Sequence, residues 1–151
     1  MDAVGCFLNI RGSLSHDLRR IPSKLYRILR QSENAARIVA KDPSATRTVL
    51  SHVNCGSRPN YKSQFISATA SLDVARRYRD RFQSQNNVRL RIGEFDTNAL
   101  RRQGVQMVDL TTEAGRNQHL GRAVMAKNFA KASQEVVLKS DTPLQCRVIE
   151  Q

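Results

Sequence analysis

Apolar and polar residues change rhythm several times along the chain. Residues 1–22 mix polar, basic and apolar positions without a sustained period, which predicts a leader or a loosely packed first helix. From Lys24 to Arg30 the alternation suits a strand entered at Pro22, with Leu25 and either Ile28 or Leu29 turned to a core. Ser32 to Ala40 predicts a short helix capped by Ser32 and broken at Asp42-Pro43. Thr46 to Val53 is apolar and β-branched enough to predict a strand, and Asn54 to Ser63, with Gly56 and Pro59, reads as a polar loop of the kind that carries binding residues.

Gln64 to Thr69 predicts another strand, and Ser71 caps a helix running to about Gln83. On that helix Val74, Tyr78 and Phe82 fall four apart and form a core stripe with Ala75, so Arg76, Arg77, Arg79 and Arg81 are expected mostly outside. Val88, Leu90 and Ile92 alternate with Arg89 and Arg91, a half-buried strand from Val88 to Phe95. A short helix over Thr97 to Arg102 precedes Gly104, and Val105 to Leu110 predicts a strand. Thr111 or Thr112 caps a helical stretch to about Ala132, interrupted near Gly115 and Gly121. Glu135 to Lys139 and Leu144 to Ile149 close the chain as strands around the turn Ser140-Asp141-Thr142-Pro143.

Composition narrows the class. At 151 residues one domain that buries its own core is the default. No apolar run approaches a membrane span, and Met1 to Arg20 lacks the basic and then apolar order of a secretion signal. Three cysteines, Cys6, Cys55 and Cys146, are too few and too scattered for a disulfide framework or a four-ligand zinc site, which leaves reduced thiols as the reading. Cys55 in its polar loop is also weighed as a catalytic thiol, with His52 the one base near it in sequence. His16 and His119 have no partner that suggests catalysis, no His/Cys/Asp cluster points to a metal, and no phosphate-binding glycine loop is present.

Charge adds a partner class. The formal net charge is +12, and it is uneven: residues 1–102 hold 19 basic and 8 acidic side chains, residues 103–151 hold 6 and 5. Most of the surplus is arginine, whose planar fork grips phosphate and stacks on bases, so nucleic acid, RNA in particular, is favoured over a generic acidic partner. A solvated basic face, or one that docks an acidic inhibitor protein, is the other reading.

Three short apolar runs each carry polar residues that a core strand would not choose: Leu25-Tyr26-Arg27, Phe65-Ile66-Ser67-Ala68-Thr69 and Ser133-Gln134-Glu135-Val136-Val137-Leu138. Their order of arginine, hydroxyls and glutamate resembles the Arg, Ser-Thr-Ser and Glu signature of the mono-ADP-ribosyltransferases in their cholera-toxin-like branch. The wider pattern, through Ala40-Lys41-Asp42-Pro43, His52, Gly56-Ser57-Arg58-Pro59, Asp109-Leu110, Asn128 and Ala130-Lys131-Ala132, is similar to transferase domains at the C-terminal ends of bacterial polymorphic toxins.

The resemblance implies an α+β fold, two small, mostly antiparallel sheets around an NAD cleft with peripheral helices. It implies a leader over residues 1–23 and a catalytic domain over residues 24–151. NAD is then the co-substrate, with no metal. Glu135 becomes the catalytic carboxylate, Arg27 the grip on the pyrophosphate, Ser67 and Thr69 the bracing hydroxyls, and His52 and Arg58 further pocket residues. Ala68 replaces the middle threonine of the family element, which weakens Thr69 more than Ser67. Ser133 stands where arginine-modifying members carry a second glutamate, so an arginine acceptor is disfavoured.

RNA is the favoured acceptor, with a protein acceptor, NAD hydrolysis and a non-catalytic basic RNA-binding module as alternatives. A toxin of this kind acts in the cytoplasm, delivered as part of a longer chain, and implies an acidic immunity or antitoxin partner.

Overall fold

The computed structural model describes residues 21–151, so nearly all of the expected leader, with Cys6 and His16, lies outside the described residues. Eleven elements follow in order: β1 (Lys24–Leu29), α1 (Val49–Cys55), β2 (Ile66–Thr69), α2 (Leu72–Asn86), β3 (Arg91–Asp96), α3 (Thr97–Arg102), β4 (Gln106–Asp109), α4 (Glu113–Leu120), α5 (Val124–Ala132), β5 (Glu135–Lys139) and β6 (Arg147–Glu150). The class is α+β. All six strands join one antiparallel sheet in the order β4-β5-β2-β1-β3-β6, which corrects the expectation of two sheets.

The correction has a specific origin. β1 and β2 are registered through Tyr26 and Thr69 alone, whereas β1 meets β3 at six positions and β2 meets β5 at four. That single pair ties the two halves into one sheet. Beyond it the strands part, and the carbonyl of Ser67 accepts a hydrogen bond from Arg27 Nη1 at 2.8 Å. The ladder therefore opens into a cleft at the position of Arg27 and Ser67.

Both faces of the sheet are covered, because alternate residues of the central strands turn to opposite sides. One core gathers Leu25, Leu29, Ile66, Ala68, Phe95, Val136, Leu138 and Leu144. The other sets Val137 against Leu110, Leu120, Ala126 and Ala130, with Val49, Leu50, Val53 and Phe65 packed around it. Strand β5 is thus apolar on both sides, and Glu135 at its start is buried with it.

Several local expectations yield to tertiary packing. Residues 32–40 form turns instead of a helix, because Ile38 is a core residue that bridges Leu144, its N–H donating to the Leu144 carbonyl at 2.7 Å and its carbonyl accepting from Leu144 N–H at 2.8 Å. The stretch expected as a strand over Thr46 to Val53 is mostly helix α1. Thr48 caps it by accepting from Ser51 N–H at 3.0 Å, and Val49, Leu50 and Val53 pack on the second core. On α2, Ser71 caps as expected, but Phe82 is 50% exposed and Arg79 is half-buried against Asp80 and Glu150. Only Val74 and Ala75 of that helix are fully buried.

Helix α3 coincides with its predicted span, and the long helical stretch before β5 is divided at Gly121, where φ is +56. Gly115 does not interrupt α4: Thr112 caps that helix, and a Cβ at Gly115 would overlap the Asp109 carbonyl, so the glycine lets the helix sit on the end of β4.

Candidate functional site

The cleft where β1 leaves β2 is a cavity of about 610 Å³ whose walls include Arg27, His52, Ser67 and Glu135. A recess of about 180 Å³ shares Arg27, Ser67 and Glu135 and adds Tyr26, Thr69 and Ser133. A cavity of about 610 Å³ suits a small-molecule or nucleotide ligand. A larger depression of about 960 Å³ lies elsewhere, beside Lys24, Glu94 and Arg147. Its charged walls pair with one another, Glu94 accepting from Arg147 at 3.1 Å and lying 3.7 Å from Lys24 Nζ.

Glu135 reaches the cavity because of the turn between α5 and β5. α5 ends at Ala132 with Ser133 as its C-cap, and Gln134 adopts φ +49, a left-handed conformation costly for a side chain with a Cβ. The Gln134 carbonyl accepts from Ala70 N–H at 2.9 Å, which locks the turn against the end of β2. β5 then starts in register with Thr69, so Glu135 and Thr69 share a face, and Ser67 lies two residues further along that face.

Glu135 is buried, 6% exposed as a residue, and burial pushes its pKa from an ordinary 4.5 up to about 7. Hydrogen bonds from Ser67 and Ser133 and the charge of Arg27 pull the other way without cancelling burial. The Ser133 hydroxyl lies 3.4 Å from Glu135 Oε2, though its stronger bond goes to the Phe129 carbonyl at 2.8 Å. A carboxyl balanced near neutrality can serve as a base or as a stabilising anion.

Arg27 is fixed from two sides. Glu33 takes Nε at 3.0 Å and Nη2 at 3.1 Å, a bidentate pair, while Nη1 donates to the Ser67 carbonyl. Three of the five N–H groups of a guanidinium are so engaged, and two remain without a partner among the described residues. Glu33 also accepts from Arg30 Nη2 at 2.9 Å, and its backbone carbonyl accepts from Arg91 at 2.5 Å. Hydrogen bonds and charge from Arg27 and Arg30 hold the Glu33 carboxyl below its usual range despite burial, which taken alone is the largest influence and acts upward.

His52, on α1, lies between two hydroxyls, with Nδ1 at 2.7 Å from Ser63 Oγ and Nε2 at 2.7 Å from Ser67 Oγ. Burial, then the charges of Arg27 and Lys41, lower its pKa to about 4, so the ring is neutral at neutral pH. Phe65 stands edge-on to it at 5.5 Å. With both ring nitrogens committed to serines, His52 is not paired with Cys55, and the catalytic-thiol reading is set aside.

Of the residues singled out from sequence, Arg27, Ser67, Glu135 and His52 meet in one cavity. Thr69 lines the recess alone, and its Oγ1 accepts from Ser71 N–H at 3.2 Å, a turn-bracing role. Arg58 does not join them. It sits on an exposed loop whose neighbours Ser57 and Pro59 line the cavity, and its backbone carbonyl, with that of Gly56, accepts from Lys41 Nζ. No group of three or more His, Cys, Asp or Glu side chains suited to a metal occurs among the described residues.

Sequence reasoning missed Glu33, Ser63 and Lys41. Glu33 carried one faint signal, an acid three residues from Arg30 and six from Arg27 in a chain poor in acids, but the helix expected there would have turned it elsewhere. Ser63 carried none, since loop placement alone brings it in, and Lys41 was noted only within the Ala40-Lys41-Asp42-Pro43 segment, without a place at the cavity.

No protein-family model matches the chain, and no curated protein or solved structure matches it.

Proposed function

We propose that the protein is a toxin-type mono-ADP-ribosyltransferase, which cleaves NAD at the nicotinamide–ribose bond and transfers ADP-ribose to a macromolecule, with RNA the favoured acceptor. The observation that carries this reading is the convergence of Arg27, Ser67 and Glu135, from three separate strands, on the cavity at the seam of the sheet. An ADP-ribosyltransferase-like arrangement of two half-sheets about an NAD cleft is consistent with a sheet joined at its centre by one residue pair.

In this reading the two uncommitted N–H groups of Arg27 face a pyrophosphate oxygen, and the clamp of Glu33 holds the fork in that direction. The glycosidic bond breaks with its electron pair leaving on the nicotinamide nitrogen. Positive charge then builds on the ribose carbon, and the Glu135 carboxylate stabilises it. Glu135 touches the reacting ribose and is the catalytic residue. A hydroxyl or amine of the acceptor attacks that carbon and gives up its proton, for which a carboxylate balanced near neutrality is a suitable base.

RNA as acceptor draws support from the mouth of the cavity. Phe82 and Phe129, each 50% exposed, line it together, where a splayed base would find two stacking surfaces. Arg30 and Lys41 line the same cavity and would meet phosphates. An acidic immunity or antitoxin protein would fit the same basic rim, and the cytoplasm of a target cell is the site of action that this chemistry implies.

The test supplies labelled NAD with total RNA or total cell protein to the protein and to Glu135→Gln. Nicotinamide release and label in RNA, both reduced about 100-fold or more by the substitution, are expected. Label in protein alone would reassign the acceptor, and release without label would make the protein an NAD hydrolase. Salt-sensitive RNA binding with no NAD consumption would leave a non-catalytic RNA-binding module.

A further inference from the structure

The serines on either side of His52 turn the ring into the middle of a hydrogen-bonded line. Ser63 Oγ accepts from Phe65 N–H at 3.3 Å and lies 2.7 Å from His52 Nδ1, whose ring partner Nε2 lies 2.7 Å from Ser67 Oγ; Ser67 shares a sheet face with Glu135, diagonal to it across the β2–β5 pair, borders the same cavity, and lowers its pKa by hydrogen bonding. A neutral imidazole has one donating and one accepting nitrogen, so each tautomer dictates what both serines do. Two complete arrangements exist. In one, Ser63 O–H donates to Nδ1, Nε2–H donates to Ser67 Oγ, and the Ser67 proton is left for an ionised Glu135. In the other, a protonated Glu135 donates to Ser67, Ser67 donates to Nε2, and Nδ1–H donates to Ser63.

We propose that His52 is a positioning residue which, anchored by Ser63, sets the direction of the Ser67 hydroxyl and so couples the proton on Glu135 to the tautomer of a neutral ring. The catalytic consequence rests on the reading of Glu135 as the reacting carboxylate, whereas the coupling belongs to the protein without substrate. Passing from the second arrangement to the first moves the Glu135 proton to Ser67 Oγ and the Ser67 proton to Nε2. The Nδ1 proton passes to Ser63 Oγ, and the Ser63 proton goes to water in the cavity. One proton leaves, one carboxylate forms, and every other group regains the hydrogen it gave.

Two further facts favour this role. The ring stays neutral down to a pH of about 4, so it can act as donor and acceptor throughout the range in which Glu135 titrates. Arg27 acts on both groups by charge, the Ser133 hydroxyl on Glu135 and Lys41 on His52, and a Ser67→Ala background separates the line from these influences. Finally, all of Ser63, His52, Ser67 and Glu135 border one cavity, so the released proton has an exit.

The experiment follows the carboxyl carbon of Glu135 by ¹³C NMR from acid to alkaline pH in the protein without NAD. Removing the ring with His52→Leu is expected to raise the midpoint by roughly half a pH unit, because Ser67 loses the donor that polarises its hydroxyl towards the carboxylate. His52→Gln, whose amide nitrogen reaches the Nε2 position as a donor, restores it. In a Ser67→Ala background His52→Leu adds no further shift. The milder Ser63→Ala moves the midpoint in the same direction by less and serves if the buried leucine prevents folding.

An equal shift from His52→Leu with and without Ser67, or no shift in any variant, would overturn the proposal. Nicotinamide release measured on the same proteins is expected to track the midpoints. Its complete absence from the unsubstituted protein would count against the NAD reading while leaving the coupling to stand or fall on the NMR cycle.

Discussion

Glu135 is held in an environment that disfavours its charge, and this has consequences for stability as well as for chemistry. Its pKa is higher in the folded protein than in the open chain, so the folded state holds the proton more tightly. Its contribution is therefore fully present below about pH 4.5 and is lost as pH rises through about 7. His52 runs the opposite way, its contribution being present above about pH 6.5 and lost as pH falls towards 4. Glu135→Gln, which cannot ionise, should accordingly be more stable than the parent at pH 8, by on the order of 1 to 3 kcal/mol, and nearly equal to it at pH 5. Urea unfolding at the two pH values checks this, and a constant difference would show that Glu135 is not buried as described. In the proposed reaction the same group gives kcat/KM for nicotinamide release that rises tenfold per pH unit below about 7 and levels above it.

Glu33→Gln keeps the shape but removes the charge that faces both Arg27 and Arg30. It should destabilise the fold by about 3 kcal/mol, because Arg27 would be left partly buried and uncompensated. It should also raise KM for NAD more than it lowers kcat. A change in kcat alone would place Glu33 outside the binding clamp.

Among the elements, the turn before β5 and the start of α4 are where backbone and function meet. Gln134 holds a left-handed conformation that glycine adopts without strain, so Gln134→Gly should be neutral or stabilising by up to about 1 kcal/mol in thermal unfolding. A marked loss would mean that the Gln134 side chain, which donates to the Lys131 carbonyl, carries the turn. Gly115→Ala tests the opposite case. The added methyl meets the Asp109 backbone, which cannot yield as a flexible side chain would, and a loss of about 2 kcal/mol or more is expected. The cap at Thr48 illustrates how an element can reverse a propensity. Val49 and Val53 favour strand locally, yet one hydroxyl at the N-terminus and burial of Leu50 and Val53 against the second core are enough to make helix.

Across the protein surface and core the arginine surplus divides into two populations. Arg76 and Arg79 hold Glu150 and so pin β6 to α2, Arg91 and Arg116 hold backbone carbonyls, and Arg27 builds the cavity. Others, such as Arg77, Arg81 and Arg89, remain exposed. RNA affinity is therefore expected to fall with salt by a slope that reflects only this second population, and fluorescence titration at several salt concentrations measures it. Phe82→Ala and Phe129→Ala should each lower label transfer to RNA about 10-fold while nicotinamide release into water is kept. Equal loss of both would make the aromatic pair part of the NAD site. No helix among the described residues is long and apolar enough to cross a membrane.

Much of this was legible along the chain, and for a common reason. The strands at Lys24, Gln64 and Glu135, the Ser71 cap, helix α3 and the break at Gly121 all depend on neighbours within a few residues, so alternation, caps and glycine report them directly. The trio of Arg27, Ser67 and Glu135 was visible because each is a polar residue set in an apolar strand. Long-range packing fixed the relations across the fold. It made residues 32–40 a bridge instead of a helix, exposed Phe82, joined two expected sheets through Tyr26 and Thr69, and brought Glu33 and Ser63 to the cavity while leaving Arg58 outside. Local sequence sets what a segment can become, but burial and pairing with distant segments carry free energies larger than local propensities, and these determine which side chains meet.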